Sequence, residues 1–370
     1  MKKILIVYVS AGSGHKSAAL ALEKEVPLVM PGAKVNVIDA LDYTNRIYKK
    51  MYLESYLNLV KYMPELWGYL YRTYDQKKVL SSIENLRKAI DKFNSSALID
   101  YIDKCNPDLI IATHFLPLQI VSHLKKKRKI NAFLAGVVTD FAVHSMWMQE
   151  NVDLYFTATE LVKRELSRLG QDEKKIVVTG IPINNSFQKK KNADEIKQKL
   201  GLDKDRLTLL LLSGGYGVGP IKEMVKAFDN TEINIQLIVV AGNNKKLLDE
   251  IKKIRISVPV KVFGFVNNVD ELMEASDFVA TKPGGLTSCE VLAKQKPMLI
   301  LDPIPGQEQR NCEYLLEQGA AARIYDPADA SFRVKELLAD RGKLCEMKIN
   351  ARKISKPNAS QDILNVLMSV

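Results

Sequence analysis

The sequence predicts an α/β protein made of two doubly wound domains, and three observations lead there. Short apolar, β-branched runs alternate with helical patterns along the whole chain, which is the rhythm of parallel sheets covered by helices on both faces. A length of 370 residues is long for one hydrophobic core and comfortable for two. Residues with unusual chemistry gather just after the apolar runs, where open parallel sheets bind ligands.

Taken in order, the first half offers strands at 3–9 (KILIVYV), 34–39 (KVNVID), 108–113 (DLIIAT), 132–140 (AFLAGVVTD), 154–159 (LYFTAT) and 175–180 (KIVVTG). The second half repeats the pattern at 207–215, 235–242, 260–265, 277–282, 297–302 and 321–326. Between the halves lies the strand-free, lysine-rich QKKKNADEIKQKL, which suits an interdomain connection and one exposed helix. We therefore expect domains at 1–185 and 186–370, facing each other across a central cleft. The C-terminal helix is free to pack back on the first.

Composition narrows the class. The chain is 46% hydrophobic and 26% charged, as in ordinary soluble globular proteins. No apolar run approaches the roughly 18–20 residues that span a bilayer. The apolar start at Ile4 is short and runs straight into a glycine loop, so it reads as a buried first strand, not a signal peptide. Four cysteines form no C-x-x-C pair and no metal-ligand spacing, so reduced thiols in a cytoplasm are expected. A net charge of +11 favours an anionic partner: nucleic acid, an acidic membrane or a phosphorylated substrate.

The first loop, VSAGSGHKSAA (9–19), resembles a phosphate-binding turn but lacks the closing Gly-Lys-Ser/Thr. His15 stands where the last glycine of such a loop belongs. A second cluster follows at Asp140 and His144, and His114 ends the third strand. In the second half, TKPGGLTSCE (281–290) sets Pro283, Gly284 and Gly285 ahead of a helix start. Amides and dipole there suit a diphosphate, with Thr287 adding a hydroxyl. One turn on, Glu290 is an acceptor-only carboxylate placed for a ribose diol. After the next strand, Gln307 and Glu308 in PGQE offer an amide and a carboxylate for sugar hydroxyls. An isolated PGG reads first as a loop–helix junction, with Thr287 as a cap and Glu290 on a solvated face; the combination points to a nucleotide-sugar site.

Together, GSGHKSAA, VVTDFAVHSMW, SGGYGVG, VFGFVNNVDELMEASD, TKPGG, Glu290 and PxPGQE with Asn311 resemble glycosyltransferase family 28. The likeness is to its monogalactosyldiacylglycerol synthases and bacterial processive diacylglycerol glucosyltransferases, and it covers essentially the whole chain. It implies the GT-B fold of two Rossmann-like domains, with acceptor and membrane functions in the first and donor binding in the second. It implies an inverting hexosyltransferase that moves glucose or galactose from a UDP-sugar to 1,2-diacylglycerol, forming a β-linkage, with processive addition allowed. By that likeness Gly284, Gly285 and Thr287 contact the diphosphate, Glu290 the ribose, and Gln307 and Glu308 the sugar. Phe263, Gly264 and Phe265 hold uracil. Ser213, Gly214, Gly215, Lys282, Pro283 and Asn311 complete the donor side. No metal or other cofactor is expected, since helix-end amides and Lys282 can stabilise the departing UDP.

On the acceptor side, the turn aims His15 as a base, kept neutral by the positive helix end. The resemblance also places an essential histidine here. Asp140 is the second candidate base, with a structural capping role as its alternative. Gly12, Gly14, His144 and Trp147 are expected to line the acceptor.

Between Tyr43 and Tyr74 the chain holds eight of its fourteen tyrosines, with Trp67 and interleaved cations. An aromatic and basic stretch of this kind suits either packing on its own domain or a membrane interface. The resemblance favours the membrane, with Tyr48, Lys49, Lys50, Tyr52, Tyr56 and Trp67 in contact and the protein peripheral on the cytoplasmic face. Rival readings are N-acetylglucosamine transfer to a lipid-linked peptidoglycan precursor and a UDP-sugar 2-epimerase. A nucleic-acid module would explain the charge alone, but no RNA- or DNA-reading motif is present, and no nucleic-acid partner is expected.

Overall fold

Among the described residues twelve strands form at the predicted places. A computed structural model describes residues 2–10, 12–47, 49–52, 54, 62–75, 96–215 and 217–370. The first sheet contains β1 (Lys3–Tyr8), β2 (Lys34–Asp39), β3 (Leu109–Ala112), β4 (Phe133–Val137), β5 (Leu154–Thr157) and β6 (Ile176–Val178). The second contains β7 (Leu207–Leu212), β8 (Ile235–Val240), β9 (Val260–Phe263), β10 (Phe278–Thr281), β11 (Met298–Leu301) and β12 (Ala321–Ile324). All strand pairs are parallel, in the orders β2-β1-β3-β4-β5-β6 and β12-β11-β10-β7-β8-β9.

These orders locate a switch point in each sheet. The chain reverses its direction of growth between β1 and β3 in one sheet and between β7 and β10 in the other. Such switch points splay the following loops apart and open a crevice beyond the strand ends. The loop carrying His15 follows β1, and His114 follows β3. The Ser213 loop follows β7, and the Lys282 loop follows β10.

Burial explains the apolar runs. Every residue of β3 and β8 is buried, as central parallel strands covered on both faces must be. Alternate β1 residues feed two cores: Leu5 and Val7 one, Ile4 and Ile6 the other. The second of these also takes Ile363, Leu364 and Leu367 from the last helix, Ala359–Met368. That helix therefore completes the N-terminal unit, which comprises Met1–Asn184, Pro305–Gln307 and Asn358–Val370. The other unit comprises Asn185–Ile304 and Glu308–Pro357.

The connecting helix, Ala193–Lys199, is less exposed than its composition suggests. Lys197 is buried, and its ammonium reaches the carbonyls of Lys204 and Arg206 at 3.4 and 3.3 Å. Among the described residues no helix is long and apolar enough to cross a membrane.

Candidate active site

In the N-terminal unit the helix Ser13–Val29 starts directly after the glycine loop, with Gly12 at its N-cap. Gly12 has φ +98, a left-handed backbone that glycine adopts without a Cβ penalty. His15 falls in the first helical turn. Its Nδ1 lies 2.8 Å from the carbonyl oxygen of Thr113. A carbonyl only accepts, so Nδ1 carries the proton and donates; Nε2 is left as the basic nitrogen. The Thr139 hydroxyl oxygen is 3.0 Å from the same Nδ1, and the Thr113 hydroxyl donates to the His15 carbonyl at 2.9 Å. The β3 and β4 ends thus grip the ring and its backbone together.

Electrostatics favour a neutral base. Burial lowers the His15 pKa, while the Asp140 charge and the Thr113 hydrogen bond oppose that shift. His114 stands edge-on to His15 with ring centroids 4.5 Å apart. Burial and the His15 charge push His114 well below the imidazole range. Its Nδ1 accepts from Leu116 N at 3.1 Å and caps the helix Phe115–Lys126. Protonation of Nδ1 would break that cap, which makes His114 a structural group.

The structure separates the other acceptor candidates. His144 is a capping residue like His114: its Nδ1 accepts from Met146 N at 3.2 Å, and its Nε2 donates to the Tyr71 carbonyl at 3.0 Å. Both ring nitrogens are engaged, so the ring joins two segments of the chain. Trp147 is a core residue at 4% exposure, packed among Leu118, Val152 and their neighbours. Its apolar ring is worth more in that core than at an acceptor surface. Gly12, Gly14 and Asp140 remain partly accessible.

Of the membrane candidates, Tyr48 and Tyr56 lie outside the described residues. Tyr52 packs half-buried against the core. Lys49 pairs with Asp42 and, at 3.8 Å, with Asp39. Lys50 is exposed beside Glu54, and Trp67 is half-buried near Tyr71. Among the described residues of this stretch the exposed large apolar groups are Ile47, Met51, Tyr62, Met63, Leu66 and Tyr69. Tyrosine count drew attention away from the aliphatic members.

In the other unit, the helix Gly285–Ala293 follows β10 after a Pro-Gly turn. Its N-cap, Gly284, supplies no side-chain hydrogen bond, so the leading amides have no capping side chain. Thr287 is half-buried in the first turn. Glu290 is half-buried one turn on, and its carboxyl is pushed up to about 8, first by burial and then by the Asp270 charge. Asp270 itself is held by Lys191 at 2.7 Å. Lys282 pairs with Asp302 at 3.1 Å. Asp302 adopts φ +40 at the end of β11, uncommon for a residue with a side chain. Its position after a strand end was the only sequence signal for it.

The supporting loops are tightly built. Gly217, at φ +64, leaves no room for a Cβ: one would stand 2.3 Å from Asn244 Cβ and 2.5 Å from the Ala241 carbonyl oxygen. A Cβ on Gly219 would meet Lys282 Cε at 3.4 Å, so the glycine loop and Lys282 are neighbours. Ser213 is buried, donating to the Val240 carbonyl at 2.7 Å. Asn311 is fully buried and donates to the Pro283 carbonyl at 3.0 Å. Both hold loops in place on the donor side. Glu308 accepts from Ile304 N at 2.9 Å and lies beside Gly284. Phe265 is exposed, whereas Phe263 and Gly264 are half-buried. Asp203-Lys204-Asp205 is a polar turn in which Asp205 N donates to the Asp203 carboxylate at 2.9 Å.

Residues 15–183 match the family described as monogalactosyldiacylglycerol (MGDG) synthase, and residues 192–354 match glycosyl transferases group 1. Processive diacylglycerol β-glucosyltransferases of Bacillus cereus (strain AH820) and Bacillus anthracis (strain CDC 684 / NRRL 3495) are each 34% identical to the chain. The matches cover 99% of it and 93% of theirs. Two solved structures share the fold at low identity. Acinetobacter baumannii MurG has a TM-score of 0.64 at 14% identity, with both chains covered in full. The S. aureus MnaA–UDP complex has a TM-score of 0.65 at 19% identity, covering 99% of this chain and 96% of that one.

Proposed function

We propose a reaction from the premise that the chain belongs to the family of the processive diacylglycerol β-glucosyltransferases. It transfers glucose from UDP-glucose to the free hydroxyl of 1,2-diacylglycerol, making a β-glucosyl-diacylglycerol and UDP. The observation that carries the proposal is the His15 geometry. An Nδ1–H donating to the Thr113 carbonyl leaves Nε2 basic at the mouth of a switch point.

In this reading, Nε2 of His15 takes the acceptor proton as the acceptor oxygen attacks glucose C1. The bond from C1 to the β-phosphate oxygen breaks, and attack from the opposite face inverts the α-linked donor to a β-glycoside. Asp140 offsets the imidazolium charge as it forms. The leading amides of the helix Gly285–Ala293, with Gly284, Gly285, Thr287 and Lys282, hold the diphosphate and its growing negative charge. Glu290 accepts from the ribose hydroxyls, and Gln307 and Glu308 read the sugar. Phe263, Gly264 and Phe265 hold uracil.

Exposed aliphatic and aromatic side chains between Ile47 and Tyr69, together with the net charge of +11, support reversible docking on an anionic membrane.

The test is product analysis by mass spectrometry, with diacylglycerol in anionic vesicles and either UDP-glucose or UDP-galactose. Glucosyl-diacylglycerol from UDP-glucose, lost in His15→Ala, supports the proposal. UDP release that does not depend on diacylglycerol, with a free altered sugar as product, overturns it in favour of epimerisation.

A further inference from the structure

A cavity of about 270 Å³ in the second unit takes no part in the reaction above. It lies against β12, the edge strand of its sheet, and is lined also by the helices Ala330–Ala339 and Arg341–Ile354. None of the donor candidates lines it.

Its chemistry is cationic. Arg323 from β12, Arg333 from the first helix and Lys343 from the second face it together, against one carboxylate, Glu346. The Tyr325 ring lies under the Arg323 guanidinium, 4.9 Å from its carbon to the ring centroid, which restrains the group without neutralising it. Arg333 places Nη1 on Glu336 at 2.8 Å. The Nε–H groups of both arginines are buried and have no acceptor among the described residues. The Arg323 guanidinium, the Lys343 ammonium and the part of the Arg333 guanidinium that Glu336 does not occupy stand around one space and match the oxygens of a phosphate, which accepts from several directions at once. The volume falls below the roughly 300–1,000 Å³ of pockets for drug-sized ligands and suits a group of headgroup size.

We propose that this cavity is a second anion site, binding a phosphoester of headgroup size separately from the donor diphosphate. The ligand is either a free glycerol phosphate or the same group carried by a phospholipid.

The full chain, saturated with UDP to occupy the donor site, is titrated with glycerol 1-phosphate by calorimetry at fixed ionic strength. Flotation with phosphatidylglycerol and phosphatidylcholine vesicles runs in parallel. Saturable binding of glycerol phosphate, weakened about tenfold in Arg323→Gln and in Lys343→Gln, establishes the site with a soluble ligand. Flotation on phosphatidylglycerol alone, reduced in the same variants while free glycerol phosphate fails to bind, establishes it with a lipid ligand. Neither probe binding, or binding that both variants leave unchanged, overturns the proposal. Lys343 is exposed, so its variant keeps the test open should Arg323→Gln fail to fold.

Discussion

At His15, the decisive feature is which nitrogen holds the proton. Because Nδ1 donates to the Thr113 carbonyl, the basic Nε2 is available without a change of tautomer. Replacing His15 by Ala or Gln should lower kcat by about 10²–10⁴-fold with little change in UDP affinity. Steady-state kinetics beside UDP titration will separate the two effects. Burial also lowers the pKa of this ring, so kcat at saturating UDP-glucose, where donor affinity no longer enters, should hold level through pH 7 and decline only below the ordinary imidazole range. An acid limb centred above pH 7 would contradict the assignment. Glu290 behaves in the opposite sense. Its carboxyl is pushed up to about 8, first by burial; protonated it offers one hydroxyl donor and reduced acceptor capacity, and ionised it accepts through both oxygens, which suits a ribose diol. UDP affinity should therefore rise between pH 7 and 9, and Glu290→Gln should flatten that dependence and weaken binding. An unfolded glutamate releases its proton near pH ~4.3, so the unliganded fold loses stability as pH rises from there through about 8. Glu290→Gln should consequently raise the melting temperature at pH 8 relative to the parent while impairing function.

Among the elements, the loop after β7 shows how backbone and neighbours fix a conformation together. Gly217→Ala combines φ +64 with a Cβ pressed onto Asn244 and the Ala241 carbonyl. It should cost at least about 1–3 kcal/mol in urea unfolding, whereas an alanine at an open surface position costs little. Much of the element pattern was legible. The twelve strands among the described residues lie where apolar runs placed them, with ends differing by a few residues. The fourth run shows why ends slip: 132–140 reads as continuous strand, yet the ladder stops at Val137. Beyond it Thr139 turns to His15, a partner 124 residues away that no local propensity encodes. The histidines show the reverse difficulty. His114 and His144 follow strand ends in the manner of ligands, but each caps the element after it.

For the whole molecule, the last helix matters out of proportion to its place in the chain. Ile363, Leu364 and Leu367 are fully buried beside Leu22 and Val26. Leu364→Ala should therefore cost about 2–5 kcal/mol, detectable as a lower denaturation midpoint of the N-terminal unit. Charge also acts at this scale. A net +11 without a long apolar helix among the described residues predicts vesicle binding that falls steeply with added salt. Binding indifferent to salt and to anionic lipid would remove the electrostatic part of the membrane proposal.

The sequence by itself determined the fold class, the order of strands along the chain and the loops that follow the strand ends. Those follow from periodicity and from residue types that only certain backbones accept. Tertiary structure alone decided the proton position on His15, the raised carboxyl of Glu290, the burial of Trp147 and Asn311, and the cation-lined cavity beside β12. Each depends on atoms brought together from distant parts of the chain, where distance, desolvation and the available partner set the outcome.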